Sequence, residues 1–254
     1  MSSTAISCRV VILVKALPQP SKRYGETVCC AGLTIDRVWK RLYPVRFRQL
    51  QGESSFNRWD WITFQYRRPT SDRRSESCHV FEDTIRRNGQ LRVTERAAFI
   101  NPLIIGSAKE AAQRGQSLAL IRPKNTRFTA KLKTRDAVIS EKGFFQRLAC
   151  QGSFFDKELS VVEPCPYQFH FKFEDNAGKH RYINGDWEAH AMFFRESRRT
   201  SATEALHWMD YQFNERYPKA GMVFAIGNQA KRPQTWQLLG VIRLDELRQG
   251  ELPL

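Results

Sequence analysis

The clearest periodicity in the chain is YQFHFKFED (167–175), where Tyr167, Phe169, Phe171 and Phe173 alternate with Gln168, His170, Lys172 and Glu174. Successive side chains of an extended strand point to opposite faces, so this pattern predicts a strand with one aromatic face that must be buried. RFTAKLKTRDAVI alternates in the same way. Arg127, Thr129, Lys131, Lys133 and Arg135 fall on one side, with Phe128, Ala130, Leu132 and Thr134 on the other. That is the pattern of a strand with a basic solvent face. SCRVVILVKAL (7–17) is almost continuously apolar and is ended by Pro18 and Pro20, as expected of a fully buried strand.

Other stretches are less regular. ETVCCAGLTIDRVWKRLYPVRF predicts strands over about 27–34 and 38–43, joined by a turn at Asp36-Arg37, with Pro44 ending the second. FNRWDWITFQYRRP (56–69) predicts a strand in which Trp59, Trp61, Thr63, Gln65 and Arg67 share one parity, and neither face is cleanly apolar. Residues 79–115 suggest helix in pieces, with Ser107 capping AKEAAQR and Glu110 as its capping-box partner. SATEALHWMDYQFNERYP (201–218) reads as an amphipathic helix capped by Ser201 or Thr203, with the stripe Leu206, Met209 and Phe213. SLALIRP, GMVFAIGN and TWQLLGVIRL read as strands.

Strands dominate without a regular βα alternation, which argues against a doubly wound sheet. The expected class is α+β: a mixed or mainly antiparallel sheet, compatible with a barrel, several short helices and one longer C-terminal amphipathic helix. Charge divides the chain. Of the net +15, residues 1–150 carry 28 Lys and Arg against 12 Asp and Glu, and residues 151–254 carry 13 against 14. The organisation expected is a basic strand-rich region over 1–150 and a neutral α+β region over 151–254, either separate or packed into one domain.

Most of those basic residues are arginines, whose planar fork suits phosphates, so the balance points to a polyanionic partner. Between Arg37 and Arg74, ten basic residues face three acidic ones, interleaved with Trp39, Tyr43, Phe47, Trp59, Trp61 and Tyr66. Cations neutralise phosphates and exposed rings stack on bases, so this mixture suits nucleic acid. The candidate contacts are Arg41, Arg46, Arg48, Arg67, Arg68, Arg73 and Arg74, with Trp59 and Trp61 as stacking rings. Taken singly, each tryptophan fits a core equally well. A second candidate face is Arg127, Lys131, Lys133 and Arg135.

No Gly-rich phosphate loop is present, and no cofactor signature. No run of 18 apolar residues and no basic amphipathic helix argues for a membrane. Six scattered cysteines without a C-x-x-C pair suggest reduced thiols and a cytoplasmic protein.

Candidate chemistry concentrates in GKHRYINGDWEAHAMFF (178–194), which holds His180, Asp186, Glu188 and His190. If extended, Asp186, Glu188 and His190 share a side; if helical, Asp186 caps the helix and shares a face with His190 while Glu188 turns away. The spacing fits no standard zinc site. A second group is Glu76 and His79, with Asp72, Glu82 and Asp83 nearby, and the loop PQPSKRYGE offers Lys22, Arg23 and Tyr24. The leading expectation is a nucleic-acid-binding protein that uses an arginine and aromatic surface. The alternative is a nucleic-acid-directed enzyme (nuclease, glycosylase or RNA-processing factor) with an Asp/Glu/His site.

Overall fold

The computed structural model describes residues 5–21, 25–151, 163–230 and 232–246, so Lys22, Arg23 and Tyr24 lie outside the described residues. The fold is mixed α+β with mostly antiparallel sheets. The chain forms two compact units that are not continuous halves. One contains Met1–Gly89 and Lys131–Gln168, the other Gln90–Ala130 and Phe169–Leu254.

The first unit is a closed barrel. Its strands are β1 (Ile6–Lys15), β2 (Gln19–Ser21), β3 (Gly25–Leu33), β4 (Trp39–Val45), β5 (Asp60–Arg67) and β6 (Ser77–Gln90). They pair in the order β1-β5-β6-β4-β3-β2, and an additional β1–β3 pairing closes five of them into a ring. β1–β3, β3–β4 and β1–β5 are antiparallel, whereas β4–β6 is parallel. These directions leave β5 and β6 antiparallel. With β2 set aside as an appendage of β3, this is the connectivity of the oligonucleotide/oligosaccharide-binding (OB) barrel.

Local chemistry explains most of the ring. Val10 to Lys15 are all buried, so the apolar run of β1 is indeed covered on both faces. On β5, Ile62, Phe64 and Tyr66 point inward while Thr63, Gln65 and Arg67 are more exposed, a cleaner alternation than the sequence suggested. Arg37 takes the left-handed conformation (φ 62°) in the β3–β4 turn, where the Asp36-Arg37 signal lay. β4 does not end at Pro44. The β3–β4 register shifts there, giving β4 an extra residue at Tyr43-Pro44, a bulge that accommodates a proline lacking an N–H. Residues 79–90, expected to be helical, are strand: Cys78, Val80 and Ile85 are buried in the barrel. α3 (Arg135–Gln151) packs against β2 and β3 and so covers that part of the wall.

The second unit holds two sheets. The first comprises β7 (Ile104–Ile105), β8 (Leu118–Ile121), β12 (Met222–Gln229) and β13 (Arg232–Arg243), in the order β13-β12-β8-β7. The other is β11-β10-β9, built from β9 (Lys124–Leu132), β10 (Tyr167–Asp175) and β11 (Gly178–Ile183). The aromatic face of β10 goes where its alternation requires. Phe169, Phe171 and Phe173 are buried, and Phe128 on β9 sits 5.3 Å from Phe171 and 5.0 Å from Phe213, ring centre to ring centre.

The helices of this unit among the described residues are α1 (Val93–Ile100), α2 (Ala108–Gln113), α4 (Trp187–Arg199), α5 (Ala202–Tyr211) and the single turn α6 (Tyr217–Lys219). The Ser107 hydroxyl accepts from the Glu110 N–H of α2, and Glu110 reaches back to the Gly106 N–H. Ser201 caps α5 in the same way through Glu204. The amphipathic stripe does not continue as one α-helix to Pro218: α5 passes into a π-turn at Gln212–Arg216, and Phe213 is buried there. No helix among the described residues is long and apolar enough to cross a membrane.

Candidate functional site

The loop from Arg68 to Glu76, between β5 and β6, is built around one carboxylate. Asp72 accepts hydrogen bonds from the Arg74 backbone N–H (3.2 Å), the Arg74 guanidinium (2.7 and 2.9 Å) and the Ser77 hydroxyl (2.7 Å). Partial burial pushes the Asp72 carboxyl up, but the bonds from Arg74 and Ser77 outweigh it and lower its pKa from 3.8 to about 2. The loop is therefore tied at its centre, with Arg74 consumed as a structural cation. Arg67, Arg68 and Arg73 are exposed and make no ion pair among the described residues.

The parallel β4–β6 pairing brings this loop beside β4. Arg41 pairs with Ser77 and donates its backbone N–H to the Glu76 carbonyl (2.8 Å). Lys40 of β4 and Arg68 of the loop both act on the Cys78 thiol, although burial dominates and lifts that thiol to about 12. Tyr43, three residues beyond Lys40 on β4, is 43% exposed. The Lys40 ammonium lies over the buried Tyr66 ring, 5.7 Å from its centre, so Lys40 and Tyr43 lie on opposite faces of β4.

Several expected contacts are withdrawn from that surface. Arg41 is 7% exposed, and its guanidinium faces the Cys29 sulfur at 3.8 Å. Arg46 grips Glu82, its Nε at 2.9 Å and a terminal nitrogen at 2.8 Å from the same oxygen, so it clamps β4 to β6. Trp59 and Trp61 are 5% and 8% exposed and cannot stack on a base. The Trp61 ring instead carries the Arg9 guanidinium, 4.9 Å from its centre. Arg48 is half-buried.

The basic strand is also shorter than its pattern. β9 ends at Leu132, Lys133 pairs with Glu141 at 2.7 Å, and Arg135 begins α3. Arg127 and Lys131 remain exposed on β9.

The Asp186 segment is helix. Asp186 is 1% exposed, and both its carboxylate oxygens are used: one accepts the Glu188 N–H (3.1 Å), the other the Val241 N–H of β13 (2.8 Å). It caps α4 and fastens that helix start to β13. His190, one turn on, is buried with its ring 4.9 Å from Phe169. Glu188 is half-buried. His180 is on β11, away from this cap, bonded at 2.8 Å to Asp175 across the hairpin and packed against Phe173 and Tyr182. Sequence spacing missed the Asp175 partner; the signal was the turn Asp175-Asn176-Ala177-Gly178, which makes the two strands a hairpin.

The Glu76/His79 group is likewise dispersed into structural bonds, with Asp72 on Arg74 and Glu82 on Arg46. Among the described residues, no three His, Cys, Asp or Glu side chains gather closely enough to hold a metal ion.

Residues 104–252 match the family described as domain of unknown function (DUF8757), more than half of the sequence, and the chain belongs to that family. Residues 6–102, which include every barrel strand, match a second family, domain of unknown function (DUF8758). No curated protein matches the sequence.

Proposed function

We propose that the barrel unit binds single-stranded nucleic acid, chiefly through its phosphates. One observation carries the reading: a loop tied internally by Asp72 leaves Arg67, Arg68 and Arg73 exposed where it leads into β6 of an OB-type barrel, and β4, which pairs with β6, carries the exposed Tyr43. Such barrels commonly bind oligonucleotides or oligosaccharides on the wall and loops corresponding to β3–β4 and the β5–β6 connection, an analogy of fold that the charge makes specific. A neutral oligosaccharide has no charge to match three arginines, whereas a phosphodiester strand does. α3 covers β2 and β3, which shifts the open part of this wall toward β4 and the loop. With the tryptophans buried, Tyr43 is the exposed ring among the described residues of the barrel, so electrostatics should dominate over base reading.

Fluorescence anisotropy with a labelled single strand tests this. Affinity should fall steeply between roughly 50 and 200 mM salt, and Arg67→Gln/Arg68→Gln/Arg73→Gln should reduce the log–log salt slope by about 2, at about 0.7 per phosphate contact. Tyr43→Ala should weaken binding by about tenfold without changing that slope. A triple variant that binds like the parent at every salt concentration would exclude this surface.

A further inference from the structure

We propose that the solvent face of the β9–β10–β11 sheet is a second phosphodiester-binding site, with a row of Arg127, Lys172 and Arg181 at its centre. The row is a consequence of register. Lys172 and Arg181 are directly opposed in the β10–β11 hairpin. On the other side, the Asn125 side chain meets Glu174 (3.0 Å), and the Lys133 N–H bonds the Pro166 carbonyl (2.8 Å). Both contacts fit one antiparallel register, and that register sets Arg127 opposite Lys172. The buried face agrees, because the same register sets Phe128 opposite Phe171, whose rings are 5.3 Å apart.

Three long cations therefore stand side by side on adjacent strands, about 4.8 Å from one strand to the next. All three are exposed, and none makes an ion pair among the described residues. Like charges directly opposite each other destabilise a sheet, and here two such steps follow one another. The acid on this face, Glu174, is already engaged by Asn125 and by Lys179 at 3.7 Å. A face shaped only for solubility would intersperse acids along the row. A shallow depression of about 370 Å³ at this end of the sheet is lined by Lys172, Lys179, Arg181 and Asn125 together with Glu174, Phe173 and His180, so three cations border it against one carboxylate.

His180 belongs to the aromatic side of the hairpin, opposite Phe173. A flat cationic row has the shape to take successive phosphates of a strand lying across the sheet. The inference rests on the barrel reading only for the identity of the polyanion, since the row exists independently of the barrel.

The test uses the full chain, the variant Lys172→Gln/Arg181→Gln and a labelled single strand of about 20 nucleotides. Both substitutions leave the phenylalanine face untouched. Relief of repulsion should raise Tm at low salt by about 1–3 °C, with the difference shrinking as salt screens the row. Affinity at roughly 50 mM salt should fall about tenfold, and the salt slope by about 1.4. Unchanged affinity and slope overturn the inference; if Arg67→Gln/Arg68→Gln/Arg73→Gln then loses binding, the barrel reading stands alone. Loss in the sheet variant with none in the barrel variant supports the row and rejects the barrel surface.

Discussion

The two basic surfaces of this protein are made by opposite means. On the barrel, an acid organises the cations: Asp72 holds Arg74 and Ser77, and the loop presents Arg67, Arg68 and Arg73 around a fixed centre. On the β9–β10–β11 sheet, Lys172 and Arg181 oppose each other directly, with Arg127 next to them in the proposed row, and hydrogen-bonded strands hold the like charges together. A loop has little rigidity of its own, so it needs an internal bond to aim its side chains. A sheet packed on a phenylalanine core is rigid already and can carry repulsion on its outer face. The difference teaches where each surface is vulnerable: the loop at its acid, the sheet at its buried side.

The largest effect should come from beneath the row. Phe171 is fully buried among Phe128, Phe213 and Phe224. Phe171→Ala should cost about 3–5 kcal/mol in urea unfolding through lost burial and a cavity. If the cost is below about 1 kcal/mol, the core is not what holds the charges in place.

Next is the anchor at the end of β11. Asp186→Ala removes the α4 cap and leaves the Val241 N–H buried without its acceptor, at a cost of about 2–4 kcal/mol. Asp186→Asn keeps one carbonyl acceptor and should cost less. Equal losses in the two variants would mean that the pair of oxygens is not the reason for the residue.

A smaller effect is expected at the barrel loop. Asp72→Ala should weaken oligonucleotide binding several-fold yet lower stability by only about 1 kcal/mol, because the ion pair it breaks is half-exposed and screened. The pH dependence follows in sign. The carboxyl is depressed in the folded protein to about 2, so its contribution is complete above the ordinary 3.8 and is lost as pH falls through about 2. A loop whose protease sensitivity changes already between about pH 6 and 4 would assign the control to another group.

Much of the local structure was legible in the chain. The alternation of β10, the Ser107–Glu110 box, the Ser201 cap and the Asp36-Arg37 turn each express chemistry confined to a few neighbouring residues. β6 was not legible, because its polar stretch Glu82–Thr84 and Arg86–Gln90 hides the buried Val80 and Ile85 among residues that equally suit a helix. Among the candidate contacts, composition identified the arginine-rich stretch but not which arginines it leaves to solvent. Arg46 and Arg74 could be seen as structural only once Glu82, 36 residues away, and the fold of Asp72 were in place.

The sequence by itself determined that β1, β5 and β10 extend, where α2 and α5 begin, which face of β10 is apolar and that the first part of the chain is basic. Those properties depend on intrinsic geometry and on side chains within a turn or two. Tertiary structure alone decided that β4 lies parallel to β6, that Trp59 and Trp61 are enclosed, that Asp186 serves as an anchor, and that β9 joins the β10–β11 hairpin in one sheet. Each of those depends on a partner far along the chain, and pairing between distant strands is fixed by packing and register that no local pattern encodes.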